Sequence, residues 1–180
     1  MPMNILLANL TKMVDDSGGL AKVTCSFANE MKRRGHIVSL VYSDIQTGKF
    51  YYSLDSGIPA YDIRHYKGQS ISSPWYLKVK RELLRVFNKQ KARTVNDDFA
   101  ATYLLRNLSD VLTATQSDII ISFQPAASKM LLCDLQTKIP VITMSHGDPE
   151  DYFHTYAREQ LPALEICAVC QVLVPAFPQP

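Results

Sequence analysis

Two adjacent glycines, Gly18 and Gly19, stand in the stretch DDSGGLAK between an apolar run and a helical pattern. The 180 residues hold only seven glycines, so a pair at this point has a local reason. One reason is a tight turn. The other is a helix N-terminus whose first N–H groups are free and whose bare backbone lets a phosphate approach. Lys22 falls on the first turn of that helix, either within reach of such an anion or in solvent. The pair is not a dinucleotide fingerprint, since the preceding loop is long and the third glycine is absent. Nor is it a P-loop, because no Gly-Lys-Ser/Thr follows. His146 ends another apolar run. Its imidazole titrates near neutrality and can orient a hydroxyl or hold a developing charge, or it can cap the helix that follows.

The remaining reactive side chains carry less. His36 follows Gly35 at a strand start and reads as structural, and the four histidines show no compact ligand spacing. Cys25, Cys133, Cys167 and Cys170 lie in apolar surroundings, as buried free thiols of a reducing compartment do. Cys167 and Cys170 have redox or zinc spacing, but no second pair accompanies them.

The elements that must position these groups alternate. NILLA (4–8) is a short apolar run of buried-strand type. Leu20, Val23, Phe27, Ala28 and Met31 recur at helical spacing, with Asp16 or Ser17 as N-cap and Gly35 as the stop after Arg33 and Arg34. HIVSLVY (36–42) is a second strand, so the chain opens β-α-β, which favours a parallel sheet with a right-handed crossover. Residues 43–66 mix aromatic and turn-forming residues as a hairpin or a long loop with one strand. Helices are expected over 75–91 and 98–115, the second with Asn96 or Asp97 as cap and with Phe99, Tyr103, Leu104, Leu108 and Leu112 on one face. DIIISF (118–123), PVITMS (140–145) and CQVLVP (170–175) read as strands, and Pro125 opens a short helix to about Leu135.

This order predicts a doubly wound, mainly parallel α/β sheet flanked by helices, in one Rossmann-like domain over 1–180. Ligands of such sheets sit outside the carboxyl ends of the strands, so Asn9, Lys12, Gln124, Ser145 and Asp148 join the candidates. The formal net charge of +2 is too small to imply nucleic acid. No apolar run is long enough to cross a bilayer and no leader is evident, so a cytoplasmic location is expected.

Three stretches, MNILLANL…SGGLAKVTCSFANEMKRRGHIVSLVY, SDIIISFQP and IPVITMSHG, together resemble the N-terminal half of the family 4 retaining glycosyltransferases of GT-B architecture. The resemblance implies an acceptor-side domain, with the nucleotide-sugar-binding domain and its E-x7-E motif absent from this chain. It places Gly18 and Gly19 on the donor diphosphate, where preorganised N–H groups meet the charge that grows on the leaving oxygens. It makes His146 the catalytic cleft histidine and implies no cofactor and no metal. Relatives carry an Asp directly after that histidine; here Gly147 intervenes before Asp148. The expected reaction moves a sugar from a nucleotide sugar to a saccharide or lipid-linked acceptor, in bacterial surface polysaccharide or glycolipid synthesis, with the 180 residues alone inactive.

Tyr76, Val79, Leu83, Val86 and Phe87 share one face of the helix over 75–91, with Lys78, Arg81, Arg85 and Lys89 opposite. Such a helix either lies on an anionic membrane surface, as a peripheral inner-face contact, or packs on its own sheet. Two rival functions stand beside the transferase: a non-catalytic α/β module that binds a nucleotide or a partner, and a sugar-nucleotide epimerase of the same architecture.

Overall fold

Strand β1 (Asn4–Asn9) lies at the centre of a six-stranded, all-parallel sheet of order β3-β2-β1-β4-β5-β6. The computed structural model describes residues 1–145 and 158–172, apart from the side chains of Gln90, Arg93, Ser145 and Val172. The other strands are β2 (Ile37–Tyr42), β3 (Ala60–Asp62), β4 (Ile119–Ser122), β5 (Val141–Ser145) and β6 (Val169–Val172). Between them lie helices α1 (Gly19–Arg33), α2 (Trp75–Phe87), α3 (Lys89–Tyr103), α4 (Leu105–Thr115), α5 (Pro125–Lys129) and α6 (Pro162–Ile166). A π turn, Met130–Asp134, extends α5.

Both faces of β1 are buried, so its side chains feed two cores in alternation. Leu6 and Ala8 join Ile120, Leu108, Val111 and Leu131 on the face covered by α4 and α5. Ile5 and Leu7 join Leu40, Ile121 and Phe123 on the face covered by α1. The expected doubly wound sheet is thus the observed one, and β1 and β4 meet where the strand order reverses, with Leu7 opposite Ile121.

The inner face of α1 is not the one read from its large apolar residues. Ala21, Thr24, Cys25 and Ala28 are buried at i, i+3, i+4 and i+7, whereas Val23 is exposed. Small side chains let the helix axis come close to the sheet, and Leu20, Phe27 and Met31 close the flanks. The N-cap is Gly18 rather than Asp16 or Ser17, while Gly35 stops the helix at φ +89° as expected.

No helix joins β2 to β3. Phe50, Tyr52, Leu54 and Ile58 of that connection cover the α1 face instead. It is bridged to the β1 exit loop by the Val14–Phe50 pair and by Asp15 N–H donating to the Lys49 carbonyl at 3.1 Å. The approach is so close that a Cβ at Gly48 would stand 2.8 Å from Val14 Cγ1.

The helical stretch after residue 74 breaks twice. Asn88 caps α3 by accepting from Lys91 N–H, so Asn96 and Asp97 lie inside a helix rather than at its start. Leu104 divides α3 from α4, which turns Tyr103 outward while Phe99, Leu104, Leu108 and Leu112 stay buried. In α2 the half-buried positions are Leu77, Arg81 and Leu84; the face of Trp75, Tyr76, Val79, Leu83, Val86 and Phe87 is exposed, up to 83% at Phe87. Among the described residues that face does not pack on the sheet. Among the cysteines Cys25 is buried, Cys133 and Cys167 are half-buried and Cys170 is exposed, which corrects the expectation of four buried thiols; all are free. No helix among the described residues is long and apolar enough to cross a membrane.

Candidate functional site

A cavity of about 600 Å³ opens at the carboxyl ends of the central strands. Leu10, Thr11 and Lys12 follow β1, Ser43 to Gln46 follow β2, Arg64 follows β3 and Gln124 follows β4, so the parallel sheet itself delivers these groups to one rim. Helices α2 and α3 and the α5 end close the other side with Leu77, Ala100, Leu104 and Met130. The result is a concave site with an apolar wall facing a polar one, the usual make-up of a small-molecule pocket.

The polar wall is held by a buried amide. Asn9 is fully buried; its Nδ2 donates to Thr24 Oγ1 and Met13 Sδ, each at 3.0 Å. Its Oδ1 accepts from Thr11 Oγ1 at 2.8 Å and from Gln124 Nε2 at 3.0 Å. Asn9 therefore ties the β1 exit, the β4 exit and α1 together at the reversal point. Beneath it, Ser128 Oγ links Ser122 Oγ and Thr143 Oγ1, both at 2.8 Å, across β4 and β5.

Two carboxylates line the cavity, and each is spoken for. Asp44 Oδ2 accepts from the Met13 and Val14 N–H groups at 2.8 Å and Oδ1 from Gln46 N–H at 3.0 Å, which fixes the loop that carries Lys12. Asp97 accepts from Gln160 Nε2, yet burial still holds its carboxyl above the usual carboxylate range. Gln160 Oε1 is buried with no hydrogen-bond partner among the described residues. Nearby, burial and then the Asp62 and Asp44 charges push the Tyr42 hydroxyl up to about 12.

Like Arg81, Arg64 is a half-buried cation of the site. Its Nε donates to Ser43 Oγ at 3.0 Å and its Nη1 to the Ile71 carbonyl at 3.1 Å, and the guanidinium lies 5.1 Å from the centre of the Phe99 ring. Burial lowers its pKa from the ordinary arginine value against the opposing pull of Asp62 and Asp44.

Of the residues singled out from sequence, Lys12 and Gln124 line the cavity and Asn9 lies directly behind it. Gly18, Gly19 and Lys22 sit at the start of α1 and do not line it. There the Gly18 N–H donates to Asp16 Oδ1 at 3.0 Å, and a Cβ at Gly19 would meet nothing within 4 Å. Ser145 ends β5. His146 and Asp148 lie outside the described residues. Asp44 and Arg64 were not among the sequence candidates; Lys78 and Arg81, expected to face a membrane, and Asp97, expected as a helix cap, line the cavity instead. The strand-exit rule that found Lys12 would have found Asp44, which stands two residues past β2.

The fold has a solved counterpart. The crystal structure of Acinetobacter baumannii MurG matches 98% of this chain and 42% of that one, with a TM-score of 0.50 and 12% sequence identity. The chain therefore spans less than half the length of that relative. At this identity the likeness is one of fold, a Rossmann-like half-domain of GT-B architecture. No protein-family model matches the chain, and no curated relative matches it by sequence.

Proposed function

We propose that this chain is the acceptor-side half of a glycosyltransferase that uses a nucleotide-sugar donor. The observation that carries the reading is the cavity at the carboxyl ends of β1, β2 and β4, beside the reversal point of a GT-B half-domain. MurG, which shares that fold, is a glycosyltransferase of GT-B architecture. In this reading the acceptor occupies the cavity and a second Rossmann-like domain brings the donor. The donor diphosphate meets the start of α1, where Gly19 leaves the backbone open and Lys22 is one turn away. His146, next in sequence after β5, is assigned in this reading the role the resembling stretches imply, beside the sugar and the attacking hydroxyl. The retaining course, membership of family 4 and a role in surface polysaccharide or glycolipid synthesis rest on the three resembling stretches alone.

The exposed face of α2 is read as a peripheral membrane contact. Its apolar residues enter the headgroup boundary while Arg85 and Lys89 meet anionic lipid; Lys78 and Arg81, expected on the same basic face, line the cavity instead.

The test is mass-spectrometric assay of sugar transfer from a panel of nucleotide sugars, by the protein that joins this chain to its second domain and by the 180 residues alone. Transfer by the joined protein and none by the 180 residues is expected. No transfer by either, with nucleotide binding intact, leaves a non-catalytic module, and conversion of the nucleotide sugar itself identifies an epimerase.

A further inference from the structure

The cavity brings together more cations than carboxylates among its lining residues. Lys12 comes from the β1 exit, Arg64 from the segment after β3 and Lys78 from α2, and all three line the same space. None of them makes an ion pair among the described residues, whereas Arg81, also on the wall, is paired with its neighbour Glu82. The Asp44 and Asp62 charges act on Arg64, while Lys12 and Lys78 have no ion pair among the described residues. Asp44 also accepts from three backbone N–H groups, and Asp97 accepts from Gln160 Nε2, so neither makes an ion pair with Lys12 or Lys78 among the described residues. Arg64 spends Nε and Nη1 on neutral groups, leaving Nη2 without a hydrogen bond among the described residues.

A surplus of like charge around a partly desolvated space is self-repelling, and an anion relieves it. A guanidinium fork beside two ammonium groups suits a tetrahedral dianion, which offers three oxygens, better than a single carboxylate. The apolar wall of Leu77, Leu104 and Met130 opposite accepts the uncharged part of the same molecule. Gly18 and Gly19 lie elsewhere, so this group is distinct from the donor diphosphate.

We propose that Lys12, Arg64 and Lys78 form a clamp for a phosphoryl group carried by the acceptor. The assignment of that group to an acceptor rests on the glycosyltransferase reading; the clamp does not.

The probes are inorganic diphosphate, glucose 6-phosphate, glucose, dihexanoyl phosphatidate and dihexanoyl phosphatidylcholine, titrated calorimetrically into the 180-residue chain at low salt. The phosphoryl probes should bind at least tenfold more tightly than glucose and phosphatidylcholine. The double variant Lys12→Gln, Lys78→Gln should lose at least tenfold, while Lys91→Gln, Lys138→Gln, which removes the same charge at exposed positions outside the cavity, should stay within twofold. Arg64→Lys, which keeps the charge and removes the fork, should weaken phosphoryl binding without unfolding the chain. Tighter binding of glucose 6-phosphate marks a phosphorylated saccharide, and tighter binding of phosphatidate marks a lipid phosphate. Equal binding of neutral and phosphoryl probes, or equal loss in the control double variant, overturns the clamp. A clamp that behaves as stated in a protein that moves no sugar overturns the glycosyltransferase reading instead.

Discussion

Asn9 shows how one residue organises the site. Its amide is fully buried and serves four partners, so no water replaces what a substitution removes. Asn9→Ala removes one hydrogen bond from Gln124 Nε2, which keeps Thr11, and one from Thr24 Oγ1, which keeps the Leu20 carbonyl, and is expected to cost about 1–3 kcal/mol, read from urea unfolding midpoints. Asp97 makes a different kind of claim. Burial raises its pKa, so the folded chain holds that proton to higher pH than the unfolded chain does. The stability it contributes is complete below the ordinary carboxylate value of 3.8 and is lost as pH rises through the folded value. Asp97→Asn keeps an amide next to Gln160 and removes that loss. Unfolding midpoints from pH 4 to 7 should therefore rise for the variant relative to the parent as pH increases, and parallel curves would refute the assignment.

At the scale of elements, the strands were legible because each buried strand is a short apolar run between turn signals, as in NILLA and DIIISF. The inner face of α1 was not. It is selected by how closely a helix can approach the sheet, so Ala21, Cys25 and Ala28 outrank the larger Val23. The 43–66 segment was illegible for another reason. Its course is set by distant partners, Asp44 on the Met13 and Val14 amides and Gly48 against Val14, which leave no periodicity to read. Two of the unread cavity residues, Asp44 and Arg64, lie in that segment. Helix α2 is the element whose apolar pattern was plain but whose destination was not. Because Leu83 and Val86 are exposed, Leu83→Glu with Val86→Glu should change stability by no more than about 0.5 kcal/mol per site. The same pair should abolish co-sedimentation with vesicles of phosphatidylglycerol and phosphatidylcholine. A parent chain with no preference for the anionic vesicles would remove the membrane contact.

At the scale of the whole molecule, the sheet has two jobs. Its two cores hold β1 and β4 side by side, and their reversal opens the crevice into which four strand exits point. In the proposed reading this half-domain supplies the acceptor-side wall of a two-substrate reaction. Gln124 and Lys12 were readable from sequence because they follow strands directly, whereas Lys78 and Arg81 reach the same cavity from a helix that contacts no strand exit in sequence.

The claim that the cavity is the acceptor site is tested most directly by filling it. Ala100 lines the space on α3 and is only half-buried, so Ala100→Trp occupies volume without forcing open a packed core. In the protein that carries both domains, the account predicts that acceptor KM rises at least tenfold while donor KM stays within twofold. A variant that raises donor KM and leaves acceptor KM unchanged would contradict it.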